Sequence, residues 1–97
     1  MAKFNLDHLK SAILRTFGGY ISDNEGRAME IINDAVYTGA DDPGQWSPDA
    51  LAVIHCEPGI PHGYYNYRLG ERWYEVGDEL GVIIEDYNCA VKCVYPL

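Results

Sequence analysis

Gly81-Val82-Ile83-Ile84-Glu85-Asp86-Tyr87-Asn88-Cys89-Ala90-Val91-Lys92-Cys93-Val94-Tyr95-Pro96-Leu97 closes the chain and sets its class. Two runs rich in β-branched and aromatic residues, Val82 to Tyr87 and Ala90 to Tyr95, flank Asn88-Cys89, and that pattern predicts a β-hairpin. Upstream, Tyr64 to Tyr67 and Arg72 to Val76 have similar composition and are separated by Leu69-Gly70-Glu71. They predict a second hairpin.

Further upstream the signals are helical. Asn5 is placed to cap a helix in which Leu6, Leu9, Ile13 and Phe17 share a face, with Gly18-Gly19 as the stop. Ser22-Asp23-Asn24-Glu25 fits a capping box, in which Ser22 and Glu25 each satisfy a free backbone N–H. The stripe Ala28, Ile31, Ile32, Ala35 and Val36 follows, with Gly39 as the expected stop. Asp42-Pro43-Gly44-Gln45 is a turn signal. Ser47-Pro48-Asp49 restarts a helix through a cap, a proline at the first helical position and an acid at the positive end. Ala50-Leu51-Ala52-Val53-Ile54 fits a short helix or a buried strand, and a short helix is expected over residues 50–56. Pro58 and Pro61 bracket an irregular loop. Helices first and strands last predict an α+β fold, with N-terminal helices packed on a C-terminal antiparallel sheet of three to four strands.

A chain of 97 residues, 47% hydrophobic and 23% charged, fits a single globular domain over residues 1–97. Its longest uncharged apolar run, Gly81 to Ile84, is far short of the ~20 residues that a membrane span needs. The start, Met1 to Asp7, lacks the apolar block of a signal peptide, so the expected location is the compartment of synthesis.

Charge is the main functional signal. The net charge is −8. Residues 1–20 carry a net +2, residues 21–60 a net −7 and residues 61–97 a net −3. Direct binding to nucleic acid or to an acidic membrane surface is therefore not expected, because both require basic side chains. In the central block Asp23, Glu25, Glu30, Asp34, Asp41, Asp42, Asp49 and Glu57 face only Arg27. Asp23, Arg27, Glu30 and Asp34 recur at helical spacing opposite the apolar stripe, and Glu30 and Asp34 are like charges one turn apart. Like charge that costs helix stability points to a basic partner. A merely solubilising face is the alternative.

The chemistry-bearing residues offer a second reading. His8, His55, Cys56, His62, Cys89 and Cys93 contain no CxxC, and no four of them have the spacing of a tetrahedral zinc site. Three free thiols are expected, with no metal and no cofactor. His55-Cys56-Glu57 and His62 would carry a small Cys/His-based enzyme or metal-binding domain, but no hydrolase, phosphate-loop or metalloprotease signature accompanies them. The acid pairs Asp41-Asp42 and Glu85-Asp86 are expected at a turn and a strand end. Of the twelve aromatic residues, those facing solvent suit a protein interface.

Phe4-Asn5-Leu6-Asp7-His8-Leu9-Lys10, the chain length and the acidic stretch from Asp23 to Asp49 resemble the small anti-CRISPR proteins of phages and mobile elements, in particular DNA-mimicking inhibitors of the type I-F surveillance complex. The resemblance implies a non-enzymatic α/β inhibitor without catalytic residues. It implies action in the cytoplasm of a host bacterium on the basic DNA-binding subunits of a CRISPR surveillance complex, with no small-molecule substrate. Asp23, Glu25, Glu30, Asp34, Asp41, Asp42 and Asp49 are the expected phosphate-like groups. An immunity or antitoxin-like protein masking a basic nuclease would use the same surface.

Overall fold

The computed structural model describes residues 4–97. Helices α1 (Leu6–Ile21), α2 (Glu25–Ala35) and α3 (Tyr67–Leu80) accompany strands β1 (Val36–Tyr37), β2 (Ala52–His55), β3 (Val82–Asp86) and β4 (Val91–Pro96). The four strands form one antiparallel sheet in the order β1-β2-β4-β3. The class is α+β, as the residue pattern predicts.

The β3–β4 hairpin forms where expected. Its turn is closed by the Asn88 side chain, which accepts hydrogen bonds from the backbone N–H groups of Ala90 and Val91 at 2.8 Å each. In α1 the Asn5 side chain accepts from the Asp7 and His8 N–H groups, a cap that satisfies two otherwise free donors. The helix does not stop at Gly18-Gly19. It runs on to Ile21, which packs against the core with Phe17, and that burial outweighs glycine's helix penalty of about 1 kcal/mol per residue.

Three further expectations are corrected near α2. The cap is Asn24, which accepts from the Arg27 N–H at 3.0 Å; Ser22 instead accepts from Asn24, and Glu25 is already the first helical residue. The helix ends at Ala35, before Gly39, because Val36 and Tyr37 pair with Ile54 and Val53. Ser47-Pro48-Asp49 is a turn, and residues 52–55 form a strand rather than a helix. β2 lies between β1 and β4, and Ala52, Val53 and Ile54 are all buried. A central strand covered on both faces loses the alternation that would distinguish it from a helix.

The largest correction is α3, which occupies the span expected to be a hairpin. Leu69, Trp73, Val76 and Leu80 recur at helical spacing and pack inward, whereas Tyr67 and Tyr74 face solvent. Asn66 caps the helix through the Leu69 N–H, and Gly81 ends it in the left-handed conformation. Gly70 is no turn residue. It lies against Gly63, where a Cβ on Gly63 would stand 2.2 Å from the Gly70 Cα, so the preceding loop crosses α3 backbone to backbone.

The helices cover one face of the sheet. Leu9, Ile13 and Phe17 of α1, Ile32 of α2 and Trp73 and Val76 of α3 meet Ala52, Ile54, Val82 and Val94 there. Phe17 and Trp73 pack ring to ring at 4.6 Å, and the Trp73 indole donates to the Pro61 carbonyl at 3.0 Å. A smaller cluster of Ala50, Val53, Val91 and Cys93 covers the opposite face. No described helix is long and apolar enough to cross a membrane.

Candidate functional site

Six of the seven carboxylates expected on the acidic surface are exposed: Asp23, Glu25, Glu30, Asp34, Asp41 and Asp49. Asp23 precedes α2, Glu25 opens it, and Glu30 and Asp34 lie one turn apart along it. Arg27 meets Glu30 at 3.0 Å, which offsets part of the repulsion between Glu30 and Asp34. Asp41 and Asp49 stand on the loop between β1 and β2, which is held by successive turns from Asp41 N–H to the Thr38 carbonyl, from Gln45 N–H to the Asp42 carbonyl and from Ala50 N–H to the Ser47 carbonyl.

Asp42 is a correction. It is 2% exposed and so presents no charge to a partner. Its carboxylate accepts hydrogen bonds from the Gly44 and Trp46 backbone N–H groups, each at 3.2 Å, and meets His55 Nε2 at 2.5 Å. Burial raises the Asp42 carboxyl, but the His55 contact and the two backbone N–H groups outweigh it and hold the group below its ordinary value. The acid expected to imitate a phosphate instead ties a surface loop to β2.

That tie builds a cavity of about 460 Å³ beside the loop. Tyr37, Trp46 and His55 supply ring surfaces, and Asp34 and Glu57 supply carboxylates. Tyr37 and His55 pack edge to face at 5.7 Å, and Trp46 leans on Tyr87 at 5.2 Å. The Tyr37 hydroxyl donates to the Asp34 backbone carbonyl at 2.8 Å, fixing the ring at the end of α2. The cavity thus joins the acidic helix to an aromatic floor. Trp46 and Tyr37 were the residues to suspect from sequence, as large aromatics inside a polar, acidic segment. Nothing local to Glu57 marks it.

A second cavity, of about 490 Å³, lies between α3 and the β3–β4 hairpin. Lys92 is 4% exposed there; its ammonium reaches Asp86 at 2.5 Å, and lies 5.1 Å from the Trp73 ring centre. His62 Nε2 is 3.7 Å from the same Asp86 oxygen. Burial, then the neighbouring Lys92 charge, lowers the His62 pKa despite Asp86.

The Cys/His residues do not assemble. His55 turns to Asp42, whereas Cys56 is buried in the main core, where desolvation pushes its thiol up to about 12. Such a thiol stays protonated and is a poor nucleophile. Cys56, Cys89 and Cys93 are all free. Among the described residues no group of three or more His, Cys, Asp or Glu side chains is arranged to hold a metal ion. Comparison with protein-family models, with curated proteins and with solved structures finds no match to this chain.

Proposed function

We propose that the protein is a non-enzymatic inhibitor that occupies a basic nucleic-acid groove on another protein, in the manner of the DNA-mimicking anti-CRISPR proteins that its sequence resembles. The observation that carries this reading is the run of exposed carboxylates on α2 and the following loop, where Arg27 is the only base from Asp23 to Asp49. The partner proposed is the set of basic DNA-binding subunits of a type I-F CRISPR surveillance complex in a bacterial cytoplasm.

Size limits how literal the mimicry is. The longest dimension is 33 Å. Duplex DNA of that length carries about nineteen phosphate charges, at one per ~1.7 Å, against a net −8 for the whole protein. The carboxylates therefore substitute for selected phosphates, and exposed aromatics supply further contact area. Trp46, Tyr64, Tyr65 and Tyr87 are all solvent-accessible.

A gel-shift assay with varied order of addition tests the reading. Protein added before duplex DNA is expected to abolish the shift of the surveillance complex, whereas protein mixed with DNA alone leaves the DNA unshifted. Normal DNA binding by a complex saturated with the protein rejects the mimic. Capture of a basic nuclease instead would favour the immunity-protein alternative, which the same surface serves.

A further inference from the structure

We infer that the cavity between the end of α2, the Asp42–Trp46 loop and the β3–β4 turn is an anchoring pocket for the guanidinium group of an arginine side chain on the partner. The inference takes the occupant's source from the proposed basic protein partner; the chemistry of the pocket stands without it.

The lining fits a flat, delocalised cation. Tyr37 and Trp46 line it, and such rings attract a cation held against their faces. Asp34 and Glu57 border the same space. A guanidinium stacks on a ring while donating in its plane to carboxylates, which a compact ammonium cannot do simultaneously. Among the described residues no lysine or arginine lines the cavity.

The loop is shaped to hold the aromatic wall. Asp42 binds the Trp46 N–H and the His55 ring together, placing both rings from one buried carboxylate. Gln45 sits at φ 51°, a left-handed conformation that costs a non-glycine residue of order 1 kcal/mol or more. The Trp46 indole lies over Gly44, where a Cβ would stand only 2.5 Å from Nε1. A conformation with those demands keeps a 41%-exposed tryptophan in position over the cavity.

The test uses the isolated full chain and ¹⁵N-resolved NMR, titrated with N-acetyl-arginine-N-methylamide and, in parallel, with the equivalent blocked citrulline, which keeps the shape and loses the charge. Arginine is expected to shift the Trp46 indole N–H and the His55 and Ala90 amides saturably, with citrulline at least about tenfold weaker. Asp34→Asn with Glu57→Gln is expected to weaken the arginine response by a similar factor while leaving the rest of the spectrum unchanged. An equal response to citrulline, shifts outside the pocket, or no saturable shift at tens of millimolar overturns the proposal. Failure here with intact competition in the gel-shift assay removes the pocket and keeps the acidic-face reading; success here without competition does the reverse.

Discussion

Asp42 and Lys92 are the buried charged residues among those described, and they are accommodated in opposite ways. Asp42 lies in a loop, with two backbone N–H groups and His55 arranged around it. Lys92 lies on β4 directly opposite Asp86 of β3, with that one half-exposed acid as its charge partner and the Trp73 ring beside it. The acid organises its surroundings, because three donors depend on it. The lysine depends on its surroundings, because its long stem packs like a hydrophobe and only its tip needs a partner. Removing each charge should therefore have unequal consequences.

Asp42→Ala is expected to have the largest effect, about 3 kcal/mol, since it leaves buried donors unpaired and frees Trp46 and His55. Urea unfolding measures it. Asp42→Asn keeps an acceptor and should cost less. The pH dependence has a definite sign. A carboxyl held below its ordinary value of 3.8 contributes stability that is whole above that value and is lost as pH falls through the folded value. Asp42→Asn should flatten this acid limb, and an unchanged limb would break the assignment.

On the other side of the comparison, Asp86→Ala should cost about 2 kcal/mol, because it strands the Lys92 ammonium with its tip against Trp73. Lys92→Met should stay within about 1 kcal/mol of wild type, since it retains the stem and leaves Asp86 to solvent. A loss from Lys92→Met as large as from Asp42→Ala would erase the distinction between the two burials.

The same contrast explains what was legible in the sequence. Lys92 sits in a run rich in β-branched and aromatic residues that, with the turn residue Asn88, marks the hairpin, so its position follows once the hairpin is recognised. Asp42 opens an Asp-Pro-Gly turn signal, which reads as solvent-exposed, and its decisive partner His55 is 13 residues away with no local trace. Local chemistry identified Asn5 as a cap and the acidic outer face of α2. It misassigned β2, whose two-sided burial erases period 2, and α3, where Tyr67, Trp73 and Tyr74 have strand-forming composition but Leu69, Trp73, Val76 and Leu80 have helical period. The aromatic cavity needs four separate segments, and sequence spacing does not bring them together.

The smallest expected stability change belongs to the substitution that bears most directly on function. Glu30→Lys with Asp34→Lys alters exposed positions on α2 and should shift stability by about 0.5 kcal/mol or less, even with Arg27 nearby. Asp78→Lys with Glu85→Lys makes the same charge change on α3 and β3, also at exposed positions. Competition with duplex DNA for the surveillance complex, measured for both double variants alongside their melting temperatures, tests the acidic-face account. The α2 variant is expected to melt like wild type and to lose competition by at least about tenfold, since close charge pairs at interfaces couple by roughly 1.5–7 kcal/mol, while the α3/β3 variant competes nearly normally. Equal losses from both variants, or loss from the α3/β3 variant alone, would contradict it.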